Sequence, residues 1–116
     1  MSVPAAQRRR LVTAATNQVE DLAEIFKNLA DASRLRILTT LVEAREMCVH
    51  EICAKVKMSQ PAVSHQLRVL RNARLVRTRR AGREIFYSLD DDHVLGLLSE
   101  GLRHTGHLGP RKGNGR

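Results

Sequence analysis

The stretch from Cys48 to Leu89 changes its repeat twice, and the order of those changes leaves few folds open. Cys48 to Lys55 has the length of a short helix, Lys57 and Met58 supply a turn, and Ser59 can cap a second helix that continues to about Asn72. Pro61 falls in the first turn of that helix, where a missing N–H costs nothing. Leu75 to Arg79 and Glu84 to Leu89 then read as two strands, with Ala81 and Gly82 at the bend between them. A short helix, a tight turn, a second helix and a hairpin follow one another in a winged helix-turn-helix. The expected fold class is mainly α with a small β-hairpin wing and about five or six helices.

Upstream, Val19, Leu22, Ala23, Phe26 and Leu29 recur at helical spacing and predict a helix from about Asn17 to Ala30. Asp31 or Ser33 can cap the next one, which carries Leu35, Ile37, Leu38, Leu41 and Val42 toward Glu43. The last helix starts at the run Asp90, Asp91, Asp92, whose carboxylates suit the positive end of a helix dipole, and ends near Gly106. The expected organisation is a flexible basic arm over residues 1–16, a single domain over 17–107 and a disordered basic tail over 108–116. The apolar run Leu11 to Ala15 is too short for a signal peptide, no stretch approaches a membrane span, and Cys48 and Cys53 imply no disulfide framework. The expected location is the cytoplasm.

With 20 Lys and Arg against 12 Asp and Glu, the net charge of +8 calls for a polyanionic partner. Only Phe26, Phe86 and Tyr87 are aromatic, too few for the stacking platforms that read single strands, so double-stranded DNA is favoured over RNA. The segment Met58 to Leu70 has the split character of a recognition helix. Val63, Leu67 and Leu70 face a core, while Ser59, Gln60, Ser64, His65 and Arg68 face outward with groups able to reach base edges. On the hairpin, Arg77, Arg79, Arg80 and Arg83 are expected to touch phosphates or the minor groove.

Near the C-terminus Asp91, His93, His104 and His107 form Asp-x-His, ten intervening residues, then His-x-x-His, all on the predicted last helix. These are transition-metal ligands. From His93 to His104 a helix rises roughly 16 Å while returning to within about 20° of the same face, a gap no single ion bridges. An antiparallel pairing of this helix with its symmetry mate brings Asp91 and His93 of one subunit to His104 and His107 of the other. The chain is then a homodimer with two equivalent sites, and metal acts as an input across the interface rather than as a catalyst. A metallohydrolase would instead need an open coordination position and a general base in a pocket. The chain is not expected to be an enzyme.

The stretch Leu29-Ala30-Asp31-Ala32-Ser33-Arg34-Leu35-Arg36-Ile37-Leu38, the segment Met47-Cys48-Val49-His50-Glu51-Ile52, the run Ser64-His65-Gln66-Leu67 and Gly82-Arg83-Glu84-Ile85-Phe86-Tyr87 together resemble the ArsR/SmtB family of metal-responsive repressors. The resemblance covers roughly residues 19–107. Its Asp-x-His and His-x-x-His pattern is similar to that of the zinc- and cobalt-sensing branch, which holds metal between paired C-terminal helices. That branch selects Asp91 over Asp90 and Asp92, leaving those two to cap the helix. The resemblance implies a repressor that binds operator DNA without metal and is released by Zn²⁺ or Co²⁺.

Three imidazoles and a carboxylate suit tetrahedral Zn²⁺, and Co²⁺ fits the same shell. Octahedral Ni²⁺ needs further ligands. Family members that sense nickel take them from terminal histidines, whereas here nothing after His107 is His, Cys, Asp or Glu. Some relatives also join a cysteine at the position of Cys48 to N-terminal Cys or His. No residue before Asp31 is either, and Cys53 lies about 140° around a helix from Cys48, so both thiols are expected to pack in the interior. The alternative reading is a winged-helix repressor that answers nickel or a non-metal signal.

Overall fold

Pro4 opens the first helix of the computed structural model, which describes residues 3–107, the side chains of 14–17 and 107 excepted. Helix α1 spans Ala5–Leu29 and so begins about three turns ahead of the expected start at Asn17. The residues expected to form a flexible arm are therefore helical from Ala5 onward. Between Ala5 and Leu11 the chain holds only Ala, Gln, Arg and Leu, all strong helix formers, so the backbone propagates without an apolar stripe to announce it. The expected tail, residues 108–116, lies outside the described residues.

Helix α2, Ala32–Ala44, is capped by Asp31, whose carboxylate accepts from the Arg34 backbone N–H at 3.0 Å. The Ser33 hydroxyl and that N–H hold the Asp31 carboxyl below the usual carboxylate range. Strand β1, Met47–Cys48, leads into α3, Val49–Val56, and Lys57 in the left-handed conformation turns the chain into α4, Gln60–Asn72. Strands β2, Val76–Ala81, and β3, Glu84–Leu89, form an antiparallel hairpin. Helix α5 closes the fold over Asp92–His107.

The sheet order is β1-β3-β2, with Met47 opposite Tyr87 and Cys48 opposite Phe86. The two-residue β1 was not expected, because a strand so short carries no alternation. The bend also shifts by one residue. Ala81 pairs with Glu84, so Gly82 at φ +63° and Arg83 make the turn, and glycine takes that positive φ at the least steric cost.

Ile37, Leu38 and Leu41 from α2, Ile52 from α3 and Val63, Leu67 and Leu70 from α4 meet Leu75 and Val76 in one dry core, each at most 2% exposed. The inner face predicted for α4 is thus the observed one. The two end helices contribute little to it: among the described side chains α1 buries only Leu29 and α5 only Leu98, with Ile25 and Val94 packed partly buried against it. Their apolar faces stay exposed, with Val19, Leu22 and Phe26 on α1 and Leu95, Leu97 and Leu102 on α5 each between 37% and 56% accessible.

Candidate DNA-reading helix and metal ligands

Ser59 starts α4, the candidate recognition helix, its Oγ accepting from the Ala62 N–H at 3.3 Å. The acceptor side of this hydroxyl thus serves the cap, which leaves its proton to donate outward. Gln60, His65 and Arg68 are exposed and Ser64 is half-buried. Gln60, Ser64 and Arg68 recur every four residues and so share one face.

The four arginines of the hairpin have unlike surroundings. Arg79 is engaged by Glu46: its Nε and Nη2 each donate to a separate carboxylate oxygen at 2.9 Å, and its guanidinium lies 4.9 Å from the Phe86 ring centre. The Arg79 guanidinium, helped by Arg77, holds the Glu46 carboxyl below the usual range. Arg79, expected to touch phosphates or the minor groove, thus also ties the wing to the α2–β1 connection while its side chain stays 57% exposed. Arg77 opens on a cleft of about 420 Å³ that is also lined by Glu46, Asp91 and Asp92. Arg80 and Arg83 are exposed at the hairpin tip. Sequence reasoning did not find Glu46, because its partner lies 33 residues away.

Asp91, which also lines the cleft, caps α5. Its Oδ1 accepts from the N–H groups of His93 and Val94 at 2.9 and 3.1 Å, and these bonds, Val94 first, hold its carboxyl below the usual range. Asp90 and Asp92 were expected to do the capping, but in a row of three aspartates the backbone path decides. The cap leaves Oδ2 turned toward His93, 3.6 Å from Nδ1. Asp91 and His93 thus set a carboxylate oxygen and an imidazole nitrogen side by side, a two-donor edge whose imidazole is 97% exposed. His104 is exposed further along α5, and the His107 side chain lies outside the described residues. Among the described residues no single chain gathers three or more metal-ligating side chains.

Cys48 and Cys53 are free and half-buried, Cys53 packing against the core. Glu51, beside Cys48, accepts from the Cys48 N–H at 2.9 Å as part of the start of α3.

Residues 31–78 match the model of the arsR family of bacterial regulatory proteins. The chain is 49% identical over 88 residues to a transcriptional repressor SmtB homolog of Synechocystis sp., an alignment covering 76% of this chain and 66% of the relative. It is 45% identical over 94 residues to the HTH-type transcriptional regulator KmtR of Mycobacterium tuberculosis, covering 81% and 72%. The chain belongs to the arsR family. Among solved structures, the antimony-specific transcriptional repressor AntR superposes with a TM-score of 0.72 at 35% identity, covering 79% of this chain and 83% of the other. This arsR-family protein is accordingly a transcriptional regulator with a winged helix-turn-helix for DNA, and it is not an enzyme. Among the described residues no helix is long and apolar enough to cross a membrane.

The surroundings of the wing arginines lead to a prediction. Replacing Arg80 and Arg83 together by alanine is expected to weaken operator and non-operator DNA alike and to reduce the slope of log K against log[salt] by about one per residue. Replacing Arg79 is expected to act through wing placement, lowering affinity with less change in the slope. Titrations by fluorescence anisotropy at several salt concentrations measure both effects.

Proposed function

We propose that the protein is a homodimeric, metal-sensing repressor that holds operator DNA in the metal-free state and releases it when Zn²⁺, or Co²⁺, binds between paired α5 helices. The observation that carries this reading is the two-donor edge at the start of α5, set roughly 16 Å from His104 on the same helix. Each chain offers two halves of a site and cannot close them on itself. Antiparallel pairing joins Asp91 and His93 of one subunit to His104 and His107 of the other, an N/O donor set that fits tetrahedral zinc.

Two further observations support a second copy. The apolar residues of α1 and α5 are exposed on the single chain, and the radius of gyration is 16.5 Å against about 13 Å for a compact domain of this length. On α1, Leu11, Val12, Val19, Leu22 and Phe26 are exposed, apolar surface that a partner helix would cover.

Bound metal supplies bonds that cross the interface and so favours one dimer geometry over others. The protein supplies the consequence. Its two recognition helices must stand about 34 Å apart to enter successive major grooves, and a dimer held in another geometry presents them out of register. The coupling is reciprocal, so DNA weakens metal binding by the same factor.

The test uses a duplex that the protein itself enriches from a random-sequence library, titrated with and without Zn²⁺ or Co²⁺. Zinc is expected to weaken this complex at least about fivefold. Equal affinity in metal-free buffer, Zn²⁺ and Co²⁺ would remove the sensing function.

A further inference from the structure

Arg34 stands where three elements meet. Its Nε donates to the Asn28 carbonyl in the last turn of α1 at 2.7 Å, and its Nη1 donates to Gln66 Oε1 on α4 at 3.2 Å. The other end of the Gln66 amide is also held, Nε2 donating to Ser33 Oγ at 2.8 Å. The Ser33 hydroxyl in turn donates to Asp31 Oδ2 at 2.5 Å, the same oxygen that caps α2. One chain of hydrogen bonds therefore runs from the end of α1, through the start of α2, into the middle of the recognition helix.

This arrangement is geometric before it is energetic. A guanidinium is planar and its N–H directions are fixed, so donating to two helices at once sets the angle between them. The Asn28 carbonyl is one of the last-turn groups that a helix leaves without an intrahelical partner, so the bond consumes an available acceptor. Gln66 is half-buried while its neighbour His65 is exposed, so its amide serves the helix junction and not the outer face. Among its described side chains α1 buries Leu29 and packs Ile25 against the core, and the Arg34 bonds add a polar tie from α1 to the reading head.

We propose that Arg34 and Gln66 are positioning residues that lock the recognition helix to the end of α1, and so set how far Ser64, His65 and Arg68 reach into the groove. The proposal rests on the reading of α4 as the DNA-reading helix of a dimer in which α1, like α5, faces a partner. It gives a role to two residues that contact no base, and it ties the placement of each reading head to the helix expected at the dimer interface. Such a tie acts on recognition of sequence and leaves attraction to phosphates alone.

The experiment compares the parent, Arg34→Lys, Gln66→Leu and the double variant, all metal-free, on the library-selected duplex and on a scrambled duplex at several salt concentrations. Each single variant is expected to bind the selected duplex about tenfold more weakly, with scrambled binding and salt slope unchanged. The double variant is expected to lose little more than either single one, because both changes break the same link. Ser33→Ala releases one end of the amide together with the Ser33 bond to Asp31, leaves Arg34–Gln66 in place, and is expected to shift selected binding the same way by about threefold; it stands in if Gln66→Leu does not melt cooperatively. Full affinity in the folded variants, additive losses in the double variant, or equal weakening on both duplexes would overturn the proposal. A parent that does not distinguish the two duplexes would instead overturn the DNA-reading role on which it rests.

Discussion

His104→Ala is expected to leave affinity for the selected duplex unchanged in metal-free buffer and to abolish the loss that zinc causes in the parent. The parent's loss should fall in the usual range for coupling between two ligands, about 5- to 150-fold. His104 is exposed on α5, away from the core, so its removal leaves no cavity and unfolds nothing. What disappears is one imidazole of each interchain set, and a tetrahedral ion deprived of a nitrogen ligand binds far more weakly. Asp91 needs a different substitution, because it also caps the helix. Asp91→Asn keeps a good cap and weakens the ligand, whereas Asp91→Ala gives up about 1 kcal/mol of helix stability as well. If Asp91→Asn and His104→Ala both silence the zinc response while melting like the parent, the response belongs to the ligands and not to fraying of α5.

Leu67→Ala is expected to cost about 2–5 kcal/mol, the largest effect on folding of any single change considered. Leu67 is 1% exposed and fills the core from the inner face of α4, so truncation loses apolar burial and leaves a void that close-packed neighbours only partly fill. Domains of this size hold only about 5–15 kcal/mol in total, and each kcal/mol lowers the melting temperature by about 4–8 °C near 100 residues. A variant at the upper end of that cost loses at least about a third of the total. His65→Ala on the opposite face is the contrast. It should change stability by less than about 0.5 kcal/mol, yet cost about 1–3 kcal/mol of discrimination if His65 reads a base. Thermal melts at fixed protein concentration, since a dimer's midpoint depends on it, separate the two.

Much of the reading head was legible because its signals are local. Ser59, Pro61 and the spacing of Val63, Leu67 and Leu70 specify the start and the buried face of α4 within thirteen residues, and the structure has both. The helical extension of α1 was hidden because Arg8, Arg9 and Arg10 draw attention as charge while their helix propensity gives no periodic pattern. β1 was hidden because it exists only through pairing with β3, some forty residues further along the chain. The same limit hid Glu46 with Arg79 and Arg34 with Gln66, pairs separated by 33 and 32 residues that no local rule connects. In the candidate metal site, the residue types and spacing were readable, but the division of labour at Asp91 was not. Which oxygen caps and which faces His93 depends on a backbone path that three consecutive aspartates leave open.

The central claim is that each metal site is shared between two chains, and mixed dimers test it most directly. One parent chain carries Asp91→Asn with His93→Ala and the other carries His104→Ala with His107→Ala, so neither homodimer retains a complete set. In a heterodimer purified through two different tags, the intact half of each chain meets the intact half of the other at one of the two sites. Competition with a zinc chelator is predicted to find one tight zinc per heterodimer and none in either homodimer. A heterodimer that binds no zinc, or a homodimer that binds it as tightly as the unmodified protein, would contradict the account.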